Sequence, residues 1–119
     1  MRRVVITGAG TINALAHDVD GTYKALREGR CGIGPLEIRD VDRLSVKIGA
    51  QVRGFDEAAH FNRQQITLYD RFTQFAMIAA RQAMHQSGLE ISGELADRAG
   101  VVFGTSGGGL TTQDENYRA

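Results

Sequence analysis

The stretch RAGVVFGTSGGG, residues 98–109, decides the fold class of this chain. Its apolar run, Val101 to Phe103, is too short for a buried helix and is typical of a buried strand. Four glycines follow within residues 104–109. Because glycine adopts positive φ and admits a backbone or a ligand at close range, the pattern predicts a tight loop directly after the strand.

A second apolar run near the N-terminus predicts a partner strand over residues 3–7. Val4, Val5 and Ile6 are consecutive and β-branched, as in a strand that is buried on both faces. The two runs together indicate a sheet that other elements cover on both sides.

Two helices are predicted between these strands. The first covers residues 22–27, and either Asp18 or Asp20 can cap it. The second covers residues 67–86, where apolar residues keep spacings of three and four and Gly88 ends the pattern. The alanines of its apolar face let this helix lie close to a sheet.

The connecting segments have weaker patterns. Residues 30–35 are predicted as a loop, and the alternation over residues 45–52 predicts a half-exposed edge strand. Asp56 can cap a short helical turn that Phe61 anchors, and residues 111–119 have helical potential. The order strand, helix, edge strand, helix, strand predicts an α/β fold with a mostly parallel sheet and covering helices.

Composition excludes several classes of function. The 119 residues suit one domain, and 14 basic residues balance 14 acidic ones, so charge gives no reason to expect nucleic acid or an acidic membrane as partner. A single cysteine forms no internal disulfide and favours a reducing compartment. No apolar run has the length of a membrane span or a signal peptide, so the expected location is the cytoplasm.

The Gly-x-Gly pattern at Gly8-Ala9-Gly10 invites a dinucleotide-binding interpretation. Asn13 stands where the third glycine of that fingerprint belongs, and residues 11–16 show no helix start. A nucleotide-binding α/β domain that uses Gly8, Gly10 and the loop at Gly104 therefore remains the weakest alternative.

Catalytic groups are sparse. Cys31 in the loop of residues 30–35 is either an activated thiol or, as we favour, a small residue in a tight turn. The three histidines lack metal-ligand spacing, and no Gly-x-Ser-x-Gly elbow or phosphate loop occurs. The sequence predicts no cofactor and no metal.

Four motifs in order resemble the β-ketoacyl-[acyl-carrier-protein] synthases. They are RRVVITGAG at residues 2–10, TYKALREGRCGIG at 22–34, YDRFTQFA at 69–76 and GVVFGTSGGG at 100–109. The third motif points to the type II enzymes or the related polyketide ketosynthases. Because the motifs span nearly the whole chain, the resemblance is specific.

This resemblance implies a thiolase-like fold, a homodimer, and decarboxylative Claisen condensation of malonyl-[acyl-carrier-protein] with an acyl-enzyme thioester in fatty acid biosynthesis. It also implies that residues 1–119 are an incomplete N-terminal portion of the synthase N-terminal domain. The family's nucleophilic cysteine and two histidines would lie downstream of Ala119, so no catalytic residue is assigned and the segment alone is expected to be inactive. A non-catalytic partner resembling a chain-length factor is the main alternative.

The resemblance further implies that acyl carrier protein docks beside the third motif, where the family often has basic residues. Over residues 62–69 only Arg63 is charged, and Arg71 follows. These two arginines are the candidate carrier-binding residues, and the missing cations favour a specialised or divergent synthase.

The resemblance gives the glycine loop a structural role. Gly104, Gly107, Gly108 and Gly109 are expected to let backbone approach backbone in a close-packed turn that holds no reacting group.

Overall fold

The computed structural model describes residues 3–118, and helices dominate it. The helices are α1 (Val19–Arg27), α2 (Arg63–Leu68), α3 (Arg71–Ser87), α4 (Glu94–Arg98) and α5 (Leu110–Arg118), and the strands are β1 (Ile33–Pro35) and β2 (Ile48–Ala50). Single 3₁₀ turns cover Val41–Arg43 and Glu57–Ala59. No helix in this part of the chain is both long and apolar enough to cross a membrane.

Helix α1 begins where its cap predicts. The Asp18 carboxylate accepts a hydrogen bond from the Gly21 amide at 2.6 Å and so satisfies one of the free donors of the first turn. The helix therefore starts at Val19 rather than at Thr22. Ala25 is fully buried and fixes the packed face of the helix.

The predicted helix over residues 67–86 is two helices, because Tyr69 and Asp70 interrupt it. Tyr69 is extended, and the Asp70 carboxylate accepts from the Phe72 amide at 3.3 Å. A carboxylate that caps a new helix favours a break at its own position. The predicted end at Gly88 is confirmed, since this glycine is left-handed with a φ of 62°.

The sheet of the described residues differs from the prediction. It contains two antiparallel strands, in which Ile33 lies opposite Ala50, Gly34 opposite Gly49 and Pro35 opposite Ile48. The loop predicted over residues 30–35 is therefore wrong at β1, and the strand predicted over residues 45–52 is shorter. Pairing between segments so far apart in sequence is not encoded in either segment alone.

The predicted parallel pair is absent from residues 3–118. Neither residues 3–7 nor Val101 to Phe103 forms a strand, so the predicted mostly parallel sheet is wrong for these residues. A strand needs a neighbour for its backbone hydrogen bonds, and no other strand of the described chain lies beside either run. Their side chains are correspondingly open: Val4 is 95% exposed and Val102 101%.

The N-terminal glycines pack directly on the backbone of α3. A Cβ atom added to Gly8 would overlap the carbonyl oxygen of Ala83, and one added to Gly10 would overlap that of Ala79. Only residues without a Cβ let the two backbones approach so closely. The segment after the first apolar run is thus pressed against one face of the long helix.

Two glutamines of α3 hold this segment in place. The Gln86 side-chain oxygen accepts from the Ala9 amide at 2.6 Å, and that of Gln82 accepts from the Thr11 amide at 3.0 Å. The Gln82 amide group also donates to the His17 carbonyl at 2.6 Å. These bonds satisfy two backbone amides and one backbone carbonyl in residues 9–17, after the predicted strand.

The buried apolar core of the described residues is small and comprises Ala25, Phe61 and Ile78. The predicted anchoring role of Phe61 is confirmed, as is the Asp56 cap, whose carboxylate accepts from the Ala58 amide at 3.0 Å.

The C-terminal segment is more helical than predicted. Residues 90–97 have no apolar pattern that predicts a helix, yet α4 begins within them at Glu94. The helical potential of residues 111–119 is confirmed up to Arg118 by α5. The Arg118 guanidinium donates to Asp114 at 2.9 Å and Asp40 at 3.4 Å, and the bond to Asp114 raises the pKa of Arg118.

Candidate functional site

Helix α2 has only six residues and depends on its cap. The Asn62 side chain accepts from the Gln65 amide at 2.9 Å, while the Gln65 side chain accepts from the Asn62 amide at 3.1 Å. This reciprocal capping box satisfies two free donors at the helix start. It fixes the first turn, which presents Arg63 to solvent.

An open groove of about 530 Å³ lies along α2, and we call it the α2 groove. Its lining residues are Arg63, Gln64, Thr67 and Leu68. Leu68 is 75% exposed, and α2 contains no acidic residue. The groove thus offers one cation, two polar side chains and an exposed apolar side chain to a partner.

Arg71 has a different environment. Its guanidinium carbon lies 5.4 Å from the centroid of the Phe55 ring and 5.5 Å from that of Phe75. These distances are those of cation–π contacts, which hold the guanidinium over the two rings. Arg71 is not among the described residues that line the α2 groove. The two arginines predicted as one site therefore lie in different surroundings.

Phe55 is the centre of an aromatic cluster that the sequence did not reveal. His60 stacks on Phe55 with ring centroids 5.8 Å apart, and Phe75 meets it edge-on at 5.1 Å. His60 is exposed, yet its ring contributes to this cluster. The aromatic spacing from Phe55 to Phe61 was the available signal, but only the fold brings α3 against it.

The glycine loop lies against α3 through its middle residues. A Cβ atom on Gly108 would lie 2.6 Å from the Phe72 ring, so this backbone is in contact with an aromatic face. Gly107 and Gly109 have φ values of 115° and 86°, which other residues rarely adopt. Gly104 has open space around it. The close neighbour is a side chain, whereas the sequence led us to expect backbone.

The cysteine and histidine side chains of the described residues do not form a catalytic cluster. Cys31 is a free, exposed thiol, and the His17 ring nitrogen Nε2 is engaged with the Arg53 carbonyl oxygen at 2.9 Å. Within residues 3–118 no group of three or more histidine, cysteine or acidic side chains is arranged to hold a metal ion. At the proposed nucleotide site, α3 fills the space beside Gly8 and Gly10, so the geometry does not fit a pyrophosphate there.

Comparison with known proteins identifies relatives over the whole chain. The sequence is 42% identical over 118 residues to 3-oxoacyl-[acyl-carrier-protein] synthase 2 of Coxiella burnetii, covering 99% of this chain and 28% of that protein. It is 39% identical over 118 residues to nodulation protein E of a Rhizobium species, covering 99% of this chain and 29% of that protein. The chain thus spans less than a third of the length of these relatives.

The fold has a solved counterpart as well. The ishigamide ketosynthase/chain length factor superposes with a TM-score of 0.67 at 30% identity, over 76% of this chain and 22% of that one. This likeness confirms the α/β class as the N-terminal part of a thiolase-like ketosynthase fold. Residues 1–119 match the family described as beta-ketoacyl synthase, N-terminal domain. The chain therefore belongs to the beta-ketoacyl synthase family.

Proposed function

We propose that the protein is a condensing enzyme that elongates acyl chains in fatty acid biosynthesis. It joins malonyl-[acyl-carrier-protein] to an acyl-enzyme thioester, and loss of carbon dioxide from the malonyl group supplies the carbanion for the new carbon–carbon bond. The observation that carries this proposal is the family match over residues 1–119. The Coxiella relative, named as a synthase of this kind, supports it.

In this proposal residues 1–119 are an incomplete N-terminal portion of the synthase N-terminal domain. The nucleophilic cysteine and two histidines lie downstream of Ala119, so the segment alone is inactive. The reaction needs no cofactor, because a thiolate and two imidazoles supply nucleophile, hydrogen bonds and proton transfer. In this proposal the intact protein is a homodimer in the cytoplasm.

Acyl carrier protein is the partner that we propose for the α2 groove. Arg63 is exposed at the first turn of α2 and would meet an acidic carrier surface. Arg71 is also exposed, but its contacts with Phe55 and Phe75 orient its guanidinium. We therefore assign the principal charge contact to Arg63 and a secondary one to Arg71.

A condensation assay of the full-length protein with malonyl- and acyl-carrier substrates tests the activity. We expect decarboxylation and carbon–carbon bond formation together, and no turnover by residues 1–119 alone. The matched control is Cys31→Ala, which removes the exposed thiol of this chain and should leave the rate unchanged. Absence of condensation, or its loss in Cys31→Ala, contradicts the proposal.

A charge substitution tests the carrier assignment. Arg63→Gln should raise KM for the carrier substrate roughly threefold and leave kcat unchanged, since a rim cation steers encounter rather than chemistry. Arg39→Gln removes a charge from another exposed site and serves as the control. Equal effects of the two substitutions would show that only net charge matters.

The alternative is a non-catalytic partner that resembles a chain-length factor. The observation that favours it is the structural likeness to a protein described as a ketosynthase/chain length factor. Such a protein would be inactive alone and would alter the products of a separate synthase when mixed with it. The same condensation assay, run with and without a ketosynthase, distinguishes the two functions.

A further inference from the structure

One carboxylate joins two elements that are far apart in sequence. Asp70 accepts from the Phe72 amide and thereby caps α3. Its other oxygen, Oδ2, accepts a hydrogen bond from the hydroxyl of Thr112, which is in the first turn of α5. Bonds to a charged acceptor are in general stronger than bonds between neutral groups, and this bond links α3 to α5.

The glycine loop lies between the two partners of this carboxylate. Gly108 contacts the Phe72 ring, and a Cβ atom on Gly109 would be 4.0 Å from Oδ2 of Asp70. The Gln113 amide donates to the Gly109 carbonyl at 3.0 Å, which carries the loop directly into α5. A movement of Asp70 relative to α5 must therefore move the loop.

Asp70 also follows closely on the end of α2 along the chain, after the C-cap residue Tyr69. The Tyr69 amide donates to the Gln65 carbonyl of α2 at 2.8 Å, and the Tyr69 carbonyl accepts from the Gln74 side chain of α3 at 3.1 Å. Tyr69 thus bonds to both helices through its own backbone amide and carbonyl, directly before Asp70. The α2 groove and the glycine loop are connected through these two residues.

We propose that Asp70 is a positioning residue, which sets the glycine loop relative to α3 and couples that loop to occupancy of the α2 groove. The coupling, though not the positioning, rests on the proposed function, in which acyl carrier protein occupies the groove. The physical basis is a set of hydrogen bonds that the backbone joins at Tyr69–Asp70 and at Thr112–Gln113, together with one aromatic contact.

Thr112→Val tests the positioning role in the full-length protein. The substitution keeps the β-branched shape and removes the hydroxyl, while the cap of α3 stays intact. Thr111→Val is the matched control, because it makes the same change at the neighbouring position of α5. We expect amide hydrogen exchange over residues 104–114 to become about tenfold faster in Thr112→Val only, as loss of one such bond predicts.

Equal exchange in the two threonine variants would overturn the positioning role. Asp70→Ala provides a second comparison, since it removes the cap and the Thr112 bond together. It should speed exchange in the first turn of α3 as well as in the loop. An effect of Asp70→Ala on α3 alone would also overturn the proposal.

Addition of acyl carrier protein then tests the coupling. Carrier bound at α2 should slow exchange in residues 63–68 and in the loop of the wild-type protein. In Thr112→Val, α2 should still be protected while the loop response falls at least threefold. An unchanged loop response would overturn the coupling. A carrier that does not protect α2 would contradict the proposed function and the coupling together, while the threonine comparison alone decides the positioning role.

Discussion

Two glycine-bearing segments follow apolar runs of three residues, yet they meet α3 in different ways. Gly8 and Gly10, after the run at Val4, lie against carbonyl oxygens of the helix backbone. Gly108, after the run at Val101, lies against the ring of Phe72. Glycine is therefore required for close backbone packing in one segment and for close packing against a side chain in the other.

The difference matters because a helix backbone and an aromatic ring accommodate an added methyl group at different cost. A helix carbonyl is fixed by its own hydrogen bonds, so a Cβ atom beside it must displace one backbone from the other. An aromatic ring can rotate or shift at moderate cost, although it too is packed. The N-terminal segment should therefore tolerate substitution least, and the glycine loop should tolerate it unevenly.

The largest effect is expected for Gly10→Ala. Its new methyl group overlaps the Ala79 carbonyl, and we expect a loss of about 3 kcal/mol in the free energy of unfolding. Chemical denaturation of the protein measures this loss. Gly100→Ala is the control, since nothing lies within 4 Å of a Cβ atom there. A similar stability of the two variants would show that the N-terminal segment does not rest on α3.

Gly108→Ala should cost less, about 2 kcal/mol, because Phe72 can give way in part. The double-mutant cycle with Phe72→Leu separates this clash from other effects. The smaller side chain should recover about half of the loss. Strict additivity of the two substitutions would indicate that Gly108 and Phe72 are not in contact.

The glutamines of α3 give a third comparison. Gln82→Met removes an acceptor for the Thr11 amide and a donor to the His17 carbonyl, so we expect a loss of about 1.5 kcal/mol. Gln86→Met removes only the acceptor for the Ala9 amide and should cost about half as much. Thermal unfolding measures both losses of stability. Equal losses would show that the second hydrogen bond of Gln82 does not contribute.

Local signals explain what the sequence predicted correctly. The Asp18 cap, the stop at Gly88 and the anchor at Phe61 each follow from a few neighbouring residues, and the structure has all three. The family and its α/β class also followed from the sequence, since four motifs occur in order. These features do not depend on a distant segment.

The errors concern contacts between distant segments. β1 was missed because its pairing with β2 depends on residues that an isolated loop sequence does not contain. Arg63 and Arg71 are close in sequence, which favoured one site for both, but contacts with Phe55 and Phe75 determine the surroundings of Arg71. The bond between Asp70 and Thr112 joins residues 42 apart and has no local signature.

The smallest effect is expected for Gly104→Ala. A Cβ atom at Gly104 meets nothing within 4 Å, and the φ of this residue is not positive. Alanine also restricts the unfolded chain, so the free energy of unfolding should change by less than about 0.5 kcal/mol or rise slightly. Gly107→Ala is the matched comparison, because its φ of 115° strains any side chain and should cost about 1 kcal/mol or more. A large loss in Gly104→Ala would mean that a segment outside residues 3–118 packs against the start of the loop.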